Sequence, residues 1–350
     1  MKINLDYFNV FKEPALFAAL IARHAFTRKT APKSNAVLIV NPCLIGEFAA
    51  SAPALYEFTR KHKGTEIDLL VSPMLKSLAQ HITGVRAVYT AQSVFAREYK
   101  KVIVLRISSD AYRILGAIKT ARVQTALPHF IRYGIHLIWN LFRGKAPKSW
   151  REVSFAILNE VPRDMPFDDI FSISSEEYAR VLALPALQAG REKVVIHTGA
   201  SWPMMRWEKE RWIELLQRIN ALGLFEFIFV GAERDIEDYE YISSRLKFKT
   251  YSVISQINLF ELVLLLRSAD YFIGIDSGPA NMAHLADLQS VTILGPGPHM
   301  FMPSNANDIV VDKSNGRGIY QRFFLKKNGF MQKITVDEVY QSFYNMLNKL

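Results

Sequence analysis

Short, almost wholly apolar runs alternate along the chain with longer segments of helical spacing. In the first half the strand candidates are AVLIV (36–40), IDLLVS (67–72) and KVIVLRI (101–107). In the second half they are VVIHTG (194–199), FEFIFVG (225–231), YSVI (251–254), YFIGID (271–276), SVTILG (290–295) and DIVVD (308–312). Strands this apolar need cover on both faces, which predicts parallel sheets in α/β layers. Amphipathic stretches such as KERWIELLQRINALG supply that cover, and VDEVYQSFYNML reads as a terminal helix. Two such series predict two Rossmann-like domains facing across a cleft, spanning 1–165 and 166–335, with the last helix in 336–350. VPRDMPFDD and LPALQAGREK, rich in Pro and Gly, mark the link around 160–190.

Ligands of open parallel sheets bind beyond the carboxyl ends of the strands, so the loops there come first. GIDSGPANMAH (274–284) delivers Asp276, Ser277, Gly278 and Asn281 where a strand gives way to a helix. Ser277 suits an N-cap and Pro279 the first turn, and the free N–H groups of such an end attract phosphate. The bland alternative is a helix cap alone. HTGASWPMMRW (197–207) offers Thr198, Gly199, Ser201 and the cation Arg206, a set that suits an oriented phosphate. The alternative is a surface loop with Trp202 and Trp207 packed inward. VGAERDIEDY places Glu233 and Asp235 after a strand, where acids accept from ribose hydroxyls or favour a helix start. LGPGPHM (294–300) is a rigid loop with no evident chemistry of its own. In the first half, Ser51 and Pro53 read as the start of a helix running to about Lys61. NPCLIGE then becomes the turn above the sheet, with Glu47 at its end. Glu47 is either a general base facing the other domain or an exposed first-turn acid.

Charge and composition narrow the classes. The chain carries a formal +10, concentrated in residues 1–165, which hold 24 Lys and Arg against 11 Asp and Glu; the remainder holds 19 against 22. A basic first half suits phosphate or an anionic membrane surface. HFIRYGIHLIWNLFR (129–143) sets Arg132, His136, Asn140 and Arg143 in one polar stripe among aromatics, as a membrane-interface helix or a buried one would. The single cysteine, Cys43, excludes an intrachain disulfide and a Cys-rich metal site, and fits a reducing compartment. No apolar run reaches the roughly 20 residues of a membrane span, and PALFAALIA (14–22) reads as an amphipathic helix, not a signal peptide. No G-x-G-x-x-G follows a strand, which disfavours a nicotinamide-dependent dehydrogenase, and no nucleic-acid module accompanies the charge.

In their order and spacing, VLIVNPCLIGEFAASAPALYEF, EIDLLVS, VIHTGASWPMMRWEKERWIELL, FVGAERD, FELVLLLRSADYFIGIDSGPANMAHLA and VTILGPG resemble glycosyltransferase family 9, the heptosyltransferases of lipopolysaccharide core synthesis. The resemblance implies a GT-B architecture, with acceptor bound by the first domain, an ADP-activated sugar by the second, and the terminal helix returning to the first. It implies inverting transfer without a metal or other cofactor, from a nucleotide sugar to a glycolipid such as lipopolysaccharide core. The expected place is cytoplasmic, peripheral at the inner membrane face, with no nucleic-acid partner. Glu47 falls on the family's base. Asp276, Ser277 and Gly278 fall on the turn at donor diphosphate and sugar, Thr198 to Ser201 on the hydroxyl loop, and Glu233 on the ribose carboxylate. The chain departs from the family pattern at Met205, where a Lys is usual, at Asn281, where a His is usual, and at Glu47, where Asp is more common. Arg206 stands beside Met205 as the remaining cation. A member that binds nucleotide or glycolipid without turnover, or one that uses a different nucleotide sugar, are the alternatives.

Overall fold

The fold was analysed in a computed structural model. It describes residues 34–90, 98–106, 111, 115, 118–120, 122–125, 149–188, 190–200, 203–295, 307–313 and 330–348. The expected segments 14–22 and 129–143, Ser201, Trp202 and the loop beyond Gly295 lie outside these residues. The chain forms two compact units, Met1–Ser172 and Ile173–Leu350.

The first unit is built on β1 (Val37–Asn41), β2 (Ile67–Val71), β3 (Ala87–Tyr89), β4 (Lys101–Val104) and β5 (Val123–Thr125), all paired in parallel. Their order across the sheet is β3-β2-β1-β4-β5. β1 and β2 are buried along their whole length, as two-sided cover requires. The second sheet contains β6 (Glu192–His197), β7 (Phe225–Phe229), β8 (Tyr251–Ser252), β9 (Tyr271–Ile275), β10 (Gln289–Leu294) and β11 (Asp308–Asp312). It is also all parallel, in the order β8-β7-β6-β9-β10-β11. Both orders run outward in two directions from a central pair, β1/β4 and β6/β9. Such a reversal opens a crevice at the carboxyl ends of that pair, the switch point where doubly wound sheets bind ligands.

Helix α1 (Ile45–Lys61) begins earlier than its cap chemistry suggests. Leu44, at the N-cap, has no side-chain oxygen; the Glu47 carboxylate accepts the Leu44 N–H instead, at 3.2 Å. Ser51 is interior: its hydroxyl donates to the Phe48 carbonyl at 2.9 Å and accepts from Asn41 Nδ2 at 3.1 Å. Pro53 also sits inside the helix, where it removes one backbone bond. Buried Phe48, Ala52, Leu55 and Phe58 anchor the helix on both sides of it. The sequence-based start at Ser51 is therefore corrected, and Glu47 belongs to the first helical turn.

The second unit is closed by its own terminal helix. Thr335 caps α6 (Val336–Leu347) by accepting the Glu338 N–H at 3.3 Å, and Glu338 returns the bond to the Thr335 N–H at 3.0 Å. The apolar residues Val336, Val339, Phe343 and Met346 recur at helical spacing and are buried with Phe225 and Tyr271 in the second sheet's core. Phe343 meets both rings edge-on at 5.4 Å. That packing uses the apolar stripe of the helix on the second sheet. Among the described residues no helix is long and apolar enough to cross a membrane.

Candidate active site

At the second switch point, β6 ends in His197 and β9 leads into Asp276 and Ser277. The Asp276 N–H is fixed by the Ile293 carbonyl at 3.0 Å. Ser277 caps α5 (Gly278–Leu285), accepting the Ala280 N–H at 3.4 Å, and its Oγ lies 3.0 Å from His197 Nδ1. Asp235 Oδ2 is 3.9 Å from the opposite ring nitrogen of His197. Burial pushes the imidazole down to a pKa of about 4, against a smaller upward pull from Asp235; Arg234 and Arg206 add to the depression. His197 is thus neutral at physiological pH. The carboxylate beside Nε2 favours the proton there, leaving Nδ1 to accept the Ser277 hydroxyl hydrogen. That hydrogen is then committed within the protein. Pro279 has no N–H, and the Ser277 carbonyl accepts the Asn281 N–H at 3.2 Å and Asn281 Nδ2 at 2.9 Å. Gly278 carries the remaining backbone N–H of the first turn.

Asp235 explains two glycines. Its carboxylate accepts the Ala232 N–H at 2.9 Å and is almost wholly buried. A Cβ on Gly199 would stand 2.0 Å from Asp235 Oδ1, and one on Gly231 would stand 2.7 Å from Oδ2. Only a bare backbone allows this carboxylate between the ends of β6 and β7. Oδ1 has no hydrogen-bond partner among the described residues; Arg206 Nη2 is 3.9 Å from it. Arg206 itself is paired more closely with Asp238, Nη1 to Oδ2 at 2.6 Å, and Lys209 holds the other oxygen of Asp238 at 2.7 Å. Met205 packs against the apolar core of the second unit, so that position presents no charge. Thr198 is buried beside Gly199, whereas Glu233 is exposed at the start of a short turn (Glu233–Asp235) after β7. The structure therefore brings Thr198, Gly199, Asp276, Ser277, Gly278 and Asn281 to one switch point. Arg206 is tied to the neighbouring acids, and Glu233 lies on the next strand's loop.

At the first switch point, Glu47 follows β1 and Arg106 follows β4. The two side chains pair across the reversal, Arg106 Nη2 to Glu47 Oε1 at 3.1 Å. Glu47 is 6% exposed, which corrects the alternative of a solvent-exposed acid. Its second oxygen holds the Leu44 N–H, as above. Arg106 also lies over the Trp150 ring, 5.7 Å from its centre. Burial chiefly, and then the Glu47 charge, push the Cys43 thiol well up, while Arg106 pulls it down. Cys43 is therefore a neutral thiol. Arg106 and His197 stand out only in the folded chain, because each gains its partner from a strand that the sequence does not order. The visible signal was a charged or titratable residue ending an apolar strand. Among the described residues no group of three or more His, Cys, Asp or Glu side chains is placed to hold a metal.

The "Lipopolysaccharide heptosyltransferase 1" of Campylobacter coli is 26% identical over 178 residues, 48% of this chain and 51% of that protein. That match spans about half the length of the curated relative. The crystal structure of a glycosyl transferase family 9 protein from Veillonella parvula is 14% identical and covers 92% of this chain and 99% of that one, with a TM-score of 0.71. The E. coli ADP-heptose lps heptosyltransferase II is 16% identical over 89% of this chain and 98% of its own, with a TM-score of 0.68. These likenesses, with two parallel doubly wound sheets, give the chain the GT-B fold. The sequence model for glycosyltransferase family 9 (heptosyltransferase) matches residues 115–321, more than half of the chain, and the chain belongs to that family.

Proposed function

We propose that the chain is an inverting glycosyltransferase that moves a heptose from ADP-heptose to a lipopolysaccharide core or related glycolipid. The observation that carries the proposal is the chemistry of the two switch points. One presents a buried carboxylate, the other a helix start with a bare backbone donor and small residues. Donor binding is assigned to Thr198, Gly199, Ser201, Asp276, Ser277, Gly278 and Asn281, with Glu233 for the ribose and Arg206 as the nearest cation. In the reaction the acceptor hydroxyl gives its proton to Glu47 and its oxygen attacks the anomeric carbon. The bond from that carbon to the diphosphate oxygen breaks, and ADP leaves with the electron pair. Charge growing on the diphosphate is stabilised by the α5 N-terminus, whose dipole and Gly278 N–H need no reorganisation. The basic first half suits a phosphorylated glycolipid at the inner membrane face.

One observation favours a second reading, a member that binds nucleotide without turnover. Met205 packs against the core and carries no charge, and Arg206 is already paired with Asp238, which weakens the field at the leaving group. The test is to incubate the protein with ADP-heptose and a panel of other nucleotide sugars, with glycolipid acceptor, and to follow nucleotide release and product mass. Transfer from ADP-heptose, reduced about 10²–10⁴-fold in kcat by Glu47→Gln at unchanged donor affinity, is the expected result. Nucleotide binding with no transfer to any acceptor would establish the second reading. Transfer only from a different donor would overturn the heptose assignment.

A further inference from the structure

Glu47 occupies a demanding position for a base. It is nearly buried, so its carboxylate must be aimed at the acceptor hydroxyl by its neighbours and not by solvent. The first turn of α1 offers it one backbone N–H. The only full positive charge within ion-pair distance of it among the described residues is Arg106. That pair bridges β1 and β4, the two strands on either side of the switch point, so it also fixes the carboxylate relative to the sheet. Trp150, fully buried on α2 (Trp150–Leu158), backs the guanidinium and restricts its orientation. Arg106 remains about a third exposed, with Nη2 in the ion pair with Glu47.

The geometry points to Arg106 as the positioning residue of the base: it holds Glu47 turned so that a lone pair of its carboxylate remains open to the acceptor hydroxyl. The inference rests on Glu47 being the base. With one oxygen on Arg106 and the other on the Leu44 N–H, the carboxylate is fixed in plane, and each oxygen retains a further acceptor site. Without the guanidinium, the carboxylate loses the contact that fixes one of its oxygens and is free to turn toward water. It then stops accepting from the sugar hydroxyl. A planar, always-charged side chain suits this task better than an ammonium, because it can hold the carboxylate and lie over the Trp150 ring at once.

The experiment uses the full chain with ADP-heptose and glycolipid acceptor. Arg106→Ala is expected to lower kcat about 10²-fold, the lower range for losing a positioned base, with donor affinity unchanged. Methylguanidine in the assay should restore a large part of the lost rate, which repair of general packing would not do. Arg106→Lys should recover kcat only partly. The double variant Glu47→Gln/Arg106→Ala should be no slower than Glu47→Gln alone, because both changes remove one function. Thermal unfolding and donor affinity establish that each variant is folded; if Arg106→Ala is not, Arg106→Gln and Arg106→Lys give the same comparison. Wild-type kcat in folded Arg106→Ala, or slowing that adds fully to that of Glu47→Gln, overturns the positioning role. Full transfer by Glu47→Gln would instead overturn the base assignment beneath it, so the two failures are distinguishable.

Discussion

Among the described residues, a single carboxylate faces a single guanidinium at the first switch point, whereas at the second Ser277, His197, Asp235, Arg206, Asp238 and Lys209 form one continuous chain of partners. The same strand order produces both crevices. The contrast lies in how much of each polar inventory is already committed. Glu47 keeps open acceptor sites while buried, which makes it fit to react. The second edge has its hydroxyl hydrogen, its Asn amide and its nearest cation engaged internally, which makes it fit to hold a backbone in place. An anion there meets an oriented peptide more than a set of mobile charged side chains. The difference teaches that in a doubly wound sheet the switch point supplies a place, while the local accounting of donors and charges decides whether that place reacts or cradles.

The largest effect that tests the contrast at the second edge is a pH effect on folding. His197 has a folded pKa of about 4, below the ordinary 6.5, because burial disfavours its charged form. Above pH 6.5 neither folded nor unfolded chain protonates it, and its full contribution is present. Between pH 6.5 and 4 the unfolded chain takes up the proton and the folded chain does not, so stability falls as pH falls. The loss should approach about 3 kcal/mol near pH 4. Chemical denaturation at a series of pH values, compared with His197→Asn, isolates it. The variant should lack this slope while keeping an acceptor toward Ser277. An identical slope in both proteins would show that the imidazole is not held neutral, and the committed hydroxyl at Ser277 would fall with it.

Next in size is the close approach of Asp235 to Gly199. Gly199→Ala places a methyl group 2.0 Å from a carboxylate that is itself held by the Ala232 N–H. Overpacking of this kind costs about 1–3 kcal/mol, and the backbone must move at the loop assigned to the donor. Thermal unfolding and calorimetry with ADP should show lower stability and weaker binding together. Adding Asp235→Ala in the same chain should return part of the stability, since the obstructing atoms are gone. If Gly199→Ala melts and binds like wild type, the second edge is looser than its partners imply and the contrast with the first edge loses its basis.

Much of the fold was legible because two-sided burial leaves an unmistakable apolar run. β1, β7, β10 and β11 fall within a residue or two of their expected positions, and the last helix matches its expected segment. The edge strands Ala87–Tyr89 and Val123–Thr125 were not legible; β3 is only half-buried, and three residues carry little periodicity. At α1, two residues with cap chemistry, Ser51 and Pro53, competed with Glu47, and a carboxylate at the third helical position won. Among the site residues, Ser277 was readable as a cap from its local sequence alone. Arg106 and His197 were not readable, because their significance comes from strand neighbours far away in sequence. Gly199 was readable only as part of a loop after a strand; its close approach to Asp235 required the fold.

The smallest expected effect concerns Arg206, and it discriminates sharply for that reason. If the second edge works through its backbone, a cation already tied to Asp238 at 2.6 Å adds little to donor binding. Its side chain is 32% exposed, so solvent screens what remains of its field. Arg206→Ala should therefore weaken ADP binding by no more than about 1 kcal/mol, or about fivefold, as measured by calorimetry at low salt. Raising the salt concentration should shrink even that difference. Asp238→Asn works in the opposite direction: with one carboxylate gone, Arg206 and Lys209 turn their charge outward and ADP binding should tighten modestly. A loss of a hundredfold or more in Arg206→Ala would mean that the guanidinium leaves Asp238 when the nucleotide arrives. The second switch point would then depend on a charged side chain that reorients, in contrast to the fixed pair at the first.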